Sequence, residues 1–142
     1  MVPVEGVEPS RVTDSYNAKR GARVHRAVDI LAPRGTPVLA ADEGRVLRLR
    51  RNAAGGITVY AIDSREQVVY YYAHLDGYRS GLAEGMKLAQ GDVVGYVGTT
   101  GNAPPGTPHL HFQVLRLRAD GKWWAGEPID PRPYFARTGR QR

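Results

Sequence analysis

Glycine and proline break this chain at short intervals. Seventeen glycines and ten prolines among 142 residues leave no long stretch that sustains a helical apolar period, so short strands and many turns are expected. The best-marked strand follows Pro108. In Thr107-Pro108-His109-Leu110-His111-Phe112 two histidines sit one residue apart. Strand alternation places His109, His111 and Gln113 on one face and Leu110, Phe112 and Val114 on the other. Residues two apart on a strand lie roughly 7 Å apart, near enough to serve one centre. One face suits a core, while the other presents two imidazoles, a side chain that both binds zinc and serves as a base near neutral pH. A strand with two surface histidines has the same pattern, so the other histidines decide between the readings.

The length fits one domain with a sizeable core. Cysteine is absent, which rules out a disulfide framework and a thiolate metal site; a metal would have to be held by histidine and carboxylate. No apolar run approaches the roughly 20 residues of a membrane-spanning helix. Met1-Val2-Pro3 leads straight into polar sequence, so no export signal is read, and either a cytosolic protein or a chain without its export segment is expected. The formal net charge of +6 suits polyanionic surroundings such as nucleic acid, acidic lipid or an anionic wall polymer. Its arginines are scattered (Arg45, Arg48, Arg50, Arg51) or terminal (Arg137, Arg140, Arg142), and no nucleic-acid motif accompanies them. A solvated basic face is the expectation, with no nucleic-acid partner.

Along the chain, residues 1–10 read as a loose leader, Ser10 to Tyr16 as a first strand and Ala18 to Arg23 as a basic turn. Val24-His25-Arg26-Ala27-Val28-Asp29-Ile30 is too β-branched for a stable helix before Pro33. On a straight strand His25 and Asp29 would stand about 13 Å apart, so if they cooperate the chain must bend between them. Val46 to Arg50 is predicted as a strand with Leu47 and Leu49 on one side. Ile57–Ile62 and Gln67–Leu75, joined by the polar turn at Asp63 to Glu66, are predicted as a hairpin. Alternation in its second strand puts His74 on the face of Tyr70 and Tyr72. A loop follows Asp76-Gly77, with one helical turn near Arg79 to Leu82. The segments Gly35 to Gly44 and Gly85 to Gly95 have a similar flavour and suggest paired hairpins. The run from Gly98 to Gly106 is a stiff loop fit to wall a cleft. Trp123 and Trp124 are expected to pack at the core or an edge, Tyr134 and Phe135 to fold back on the domain, and the basic tail 136–142 to be mobile.

Taken together, five segments in order resemble the lysostaphin/LytM-type zinc endopeptidases that cut bacterial peptidoglycan. They are His25-Arg26-Ala27-Val28-Asp29-Ile30; Ala32-Pro33-Arg34-Gly35-Thr36-Pro37-Val38; Tyr72-Ala73-His74-Leu75; Gly91 to Gly95 with Gly98-Thr99-Thr100-Gly101; and Pro108-His109-Leu110-His111-Phe112. The resemblance covers residues 11–135. It implies an all-β domain of antiparallel sheets of short strands with a zinc-floored groove. It further implies one zinc ion per chain held by His25, Asp29 and His111, with His74 and His109 as the catalytic pair. Two imidazoles and one carboxylate leave the open fourth position of a hydrolytic zinc site. No glutamate stands in these motifs, so His109 is taken as the general base, with His74 orienting water or stabilising the oxyanion. The implied substrates are peptidoglycan cross-links or stem peptides, and the implied location is extracytoplasmic, the periplasm or cell wall.

Three departures from the family pattern stand out. Ala27-Val28 occupies the place of the usual glycine between the first ligands, Tyr16-Asn17 replaces Phe-Gly, and Gly56 runs directly into Ile57 without the usual glycine-asparagine. None removes a ligand, and each bears on the cleft wall. Two other classes are weighed against the enzyme. In a non-catalytic regulator of other wall hydrolases the ligands would be eroded, whereas all five site residues are present here. A binding or carrier module would leave His25 and Asp29 without a role.

Overall fold

A computed structural model describes residues 1–12, 19–20, 23–24, 26–119 and 121–135. The chain is nearly all-β, as expected. Strands β1 (Lys19–Arg20) and β2 (Arg23–Val24) form a two-residue antiparallel ladder. The main sheet holds β3 (Val28–Leu31), β4 (Pro37–Leu39), β5 (Gly44–Asn52), β6 (Gly56–Asp63), β7 (Val68–Tyr78), β8 (Lys87–Leu88), β9 (Val93–Val97), β10 (His109–Arg116) and β11 (Glu127–Ile129). Its path runs β11-β10-β7-β6-β5-β8, with β3 on β10 and β9 bridging β4 and β7. Every described pairing is antiparallel.

The β6–β7 hairpin forms because Asp63 caps its turn. The carboxylate accepts from the N–H groups of Gln67 and Val68 at 2.7 and 2.9 Å, and so ties the start of β7 to the end of β6 across the reversal. Strand β7 then runs through Asp76-Gly77 to Tyr78, further than expected, because β9 pairs with its far end at Leu75, Gly77 and Tyr78. The Gly35–Gly44 and Gly85–Gly95 segments pair with each other, Val38 opposite Gly95 and Gly44 opposite Leu88.

The core lies on one face of the sheet. Val28, Ile30, Val46, Val59, Tyr72, Leu75, Leu110 and Phe112 are almost entirely buried there, each large apolar side chain contributing about 1.5–3 kcal/mol. A smaller cluster, Leu47, Ile62, Val69 and Leu115 with Trp123 against it, covers part of the opposite face.

Four expectations need correction. Leu47 and Leu49 do not share a side. The β5–β6 register slips between Val46 and Arg48, so Leu47 joins the small cluster and Leu49 the main core, as a bulge that inverts the alternation requires. The leader is not loose where Val2 and Val4 lie: both are buried, and Val4 bridges to Val38. Ser10 and Arg11 belong to a 3-10 turn at Pro9–Arg11, consistent with a proline in its first position, while residues 13–16 of the expected strand lie outside the described residues. Tyr134 is 51% exposed rather than folded back, while Phe135 packs against Phe112; Trp124, 60% exposed, keeps the expected edge packing through a T-shaped contact with Trp123 at 5.3 Å.

Candidate metal and catalytic site

Strand β10 has neighbours on both edges, and their registers assemble the site. His111 lies opposite Asp29 of β3 on one side and Ala73 of β7 on the other; His109 lies opposite Leu31. Because all three strands alternate, one row carries Asp29, His111 and Ala73 toward the groove, while the next row, Val28, Phe112 and Tyr72, goes to the core. A slip of one residue would exchange the two rows.

The carboxylate of Asp29 stands 3.3 Å from Nδ1 of His111 and 3.7 Å from Nε2 of His109. The His74 ring lies 5.0 Å from that of His109 and 5.7 Å from that of His111, centre to centre. Four of the five residues singled out from the sequence therefore meet in one place. The fifth, His25, lies outside the described residues. Arg26, between His25 and Asp29 in the chain, has φ +59°, a left-handed residue that bends the backbone just before β3. Gln113 pins it by donating to the Arg26 carbonyl at 3.1 Å.

His74 arrives by a different route. Alternation assigns it to the face of Tyr70 and Tyr72, and this is wrong. The β6–β7 register slips by one residue between the Val59–Tyr72 and Ile57–Leu75 pairs, and His74 itself has φ +63°. A left-handed residue at a bulge turns the ring onto the groove face beside Ala73 and returns Leu75 to the core. Tyr70 and Tyr72, candidates for substrate contact, are committed elsewhere. The Tyr72 hydroxyl accepts from Ala41 N–H at 2.9 Å, and that of Tyr70 donates to Asp42 at 3.0 Å. Tyr71, which strand alternation does not single out, stands T-shaped to His111, ring centres 6.0 Å apart, and lines the groove.

Both catalytic candidates have a fixed tautomer. Nδ1 of His74 lies 2.8 Å from the Thr100 carbonyl and Nδ1 of His109 lies 2.9 Å from the Thr107 carbonyl. A carbonyl only accepts, so each Nδ1 carries a proton, and in the neutral ring the lone pair is at Nε2. Burial pushes the His74 imidazolium below its ordinary pKa, outweighing the Thr100 carbonyl, which acts the other way, and neighbouring His111 and His109 lower it further. The shift favours the neutral ring, an acceptor toward the groove. Thr100 and Thr107 escape a reading of the sequence because they contribute main-chain oxygens, which leave no mark in side-chain chemistry.

The groove encloses about 720 Å³ and is lined by Asn102, Ala103, Pro104 and Thr107 together with Leu31 and Gly55. The stiff loop expected between Gly98 and Gly106 supplies the first three of these. Among the described residues no group of three or more side chains is set to hold a metal ion; of the three zinc ligands that the resemblance implies, His25 lies outside the described residues, and Asp29 and His111 lie within them. Their 3.3 Å separation fits two ligands of a single tetrahedral zinc, for which bond lengths near 2.1 Å imply about 3.4 Å. The donor types fit as well, one hard carboxylate and one imidazole nitrogen.

The sequence profile of peptidase family M23 matches residues 23–131. An L-Ala–D-Glu endopeptidase of Bacillus subtilis is 34% identical over 120 residues, covering 81% of this chain and 35% of that protein. The chain spans 22–35% of the length of the curated relatives of this kind. The catalytic domain of lysostaphin from Staphylococcus simulans superposes with a TM-score of 0.71 at 24% identity, over 87% of this chain and 90% of that one, a likeness of fold. A zinc-containing peptidase from Vibrio cholerae superposes with a TM-score of 0.68 at 26% identity, over 89% of this chain and 36% of that one.

Proposed function

The chain belongs to peptidase family M23, and we propose that it is a zinc-dependent endopeptidase hydrolysing peptide bonds in the cross-links or stem peptides of peptidoglycan. The observation that carries this reading is the convergence of Asp29, His111, His109 and His74 on one groove. The zinc ligands we assign are His25, Asp29 and His111. The ion, when bound, supplies Lewis acidity toward water and the scissile carbonyl.

The other tasks fall to this chain's side chains. His109 is the general base: its Nε2 lone pair faces Asp29 and the groove, and its Nδ1–H is held by Thr107. It takes a proton from the attacking water and returns it to the departing amine. Neutral His74, with its own Nδ1–H spent on Thr100, accepts a hydrogen bond at Nε2. It therefore orients the water; donation to an oxyanion would first require it to gain a proton. The groove admits an extended peptide across these groups, and the net charge of +6 favours retention on an anionic wall. The place of action is accordingly extracytoplasmic. No described helix is long and apolar enough to cross a membrane.

The test is hydrolysis of purified peptidoglycan by the zinc-loaded protein, with released fragments identified by mass spectrometry. Chelation should abolish the release and added zinc restore it. Undiminished release in excess chelator, or none from a protein carrying stoichiometric zinc, would refute the proposal.

A further inference from the structure

We propose that Thr100 is the positioning residue for His74, acting through a hydroxyl that fastens three segments of chain behind the imidazole. The inference rests on the reading of His74 as part of the catalytic pair. His74 occupies a left-handed conformation that an L-residue adopts only when its surroundings impose it. Its backbone N–H donates to Gly55 O at 2.8 Å and its ring Nδ1–H to Thr100 O at 2.8 Å. The ring is thus only as fixed as the Thr100 carbonyl.

That carbonyl is held by its own side chain. Thr100 Oγ1 donates to Leu75 O at 2.7 Å and accepts from Ile57 N–H at 3.1 Å. One hydroxyl thereby ties the Thr99–Gly101 loop to the residue after His74 and to the strand opposite the bulge. A further bond from Asn102 N–H to Ala54 O at 2.9 Å closes the clasp. The packing is tight. A Cβ at Gly56 would fall 2.3 Å from Thr100 Oγ1, and one at Gly101 would fall 2.4 Å from Gly56 N.

Both hydroxyl bonds need a donor and an acceptor in one small group, which serine also supplies and valine does not. With valine, the loop loses its fastening, the Thr100 carbonyl drifts, and His74 exchanges tautomers and orientations. Among the described residues the hydrogen bonds of Thr100 go to Ile57, Leu75 and His74, so metal binding should not follow the loss.

The experiment compares Thr100→Val and Thr100→Ser in the full chain. It reads zinc content, kcat and KM on a cross-linked peptide prepared from peptidoglycan, and the imidazole 15N shifts of His74 in the zinc-free protein. For Thr100→Val we expect full zinc, a fall in kcat of about 10–100-fold with KM little changed, and loss of the Nδ1-protonated signature of His74. Thr100→Ser should keep kcat and signature. A folded Thr100→Val with wild-type kcat and an unchanged His74 signature overturns the proposal, as does a Thr100→Ser that falls equally far. Should Thr100→Val not fold, wild-type shifts reporting an Nε2-protonated His74 overturn it, and Nδ1 protonation with an intact Thr100→Ser supports it. An unimpaired His74→Ala would instead sink the underlying reading of the site.

Discussion

Two strands deliver imidazoles to the same groove by opposite means. β10 does it by regularity: His109 and His111 alternate with Leu110 and Phe112, and the buried pair holds the polar pair in place. β7 does it by irregularity, since His74 shares a face with its neighbour Ala73 only through a bulge and a φ of +63°. The β10 histidines are therefore as secure as the sheet. The β7 histidine depends on a few turn contacts from Gly55 and Thr100. Ligand binding needs the first kind of support. A ring that must meet a substrate's water at one angle depends on the second.

The comparison breaks most visibly at the proposed zinc ligands. His111→Ala removes a donor 3.3 Å from Asp29 and should abolish both zinc retention and hydrolysis, read by metal analysis and peptide release. His109→Ala, one alternation away on the same strand, should retain zinc while kcat falls by about 10²–10⁴. Equal zinc content in the two variants would show that the strand does not divide its roles in this way. His74→Ala should also retain zinc and lose about 10²-fold in kcat, the lower end for a group that orients rather than abstracts.

A backbone test sharpens the contrast. Gly56 and Gly35 both have positive φ, +71° and +90°, yet a Cβ at Gly35 meets open space while one at Gly56 falls 2.5 Å from the main chain of Thr100 and Gly101. Gly35→Ala should cost about 1–2 kcal/mol for the left-handed conformation alone and leave kcat unchanged. Gly56→Ala should cost more than that and lower kcat as well, because the clasp behind His74 must open. Denaturant unfolding beside steady-state kinetics measures both. Equal losses of stability, with kcat intact in both variants, would deny the bulge its dependence on the clasp.

The same contrast separates what the amino-acid sequence discloses from what it conceals. The regular parts are legible: the His109–Val114 alternation and the Asp63 turn follow from periodicity and turn chemistry, and the likeness of the two glycine-marked segments hints at hairpins without saying that they pair with each other. Strand rise demands a bend before Asp29 only if His25 and Asp29 cooperate; Arg26 supplies one with its φ of +59°, while His25 itself lies outside the described residues. Bulges are not legible. Simple alternation puts Leu47 and His74 each on the wrong face, because a one-residue slip arises from tertiary contacts and carries no local signal. Tyr71 escapes notice for the same reason, since grouping His74 with Tyr70 and Tyr72 points to the wrong tyrosines. Main-chain partners such as the Thr100 and Thr107 carbonyls are invisible to any reading of side chains. The burial of Val2 and Val4 likewise needs Val38 to be in place.

The smallest expected effect is on stability against pH, and it isolates the bulge. Burial lowers the pKa of His74 in the folded protein, whereas in the unfolded chain it returns to about 6.5. Below that value the unfolded chain binds a proton that the folded one resists, so stability is lost as pH falls; above it the two states bind alike and this group contributes no slope. In zinc-free protein the urea midpoint should therefore decline from about pH 6.5 toward pH 5, ahead of carboxylate protonation, at no more than about 1.4 kcal/mol per pH unit from this one proton. His74→Gln removes the titrating group, so the difference between wild type and variant across that window belongs to His74 and not to the β10 histidines. A difference that stays constant from pH 7 to pH 5 would mean that His74 gains its proton as easily in the groove as in water. The bulge would then not shield it, and the neutral, accepting ring assigned to this position would have to be abandoned.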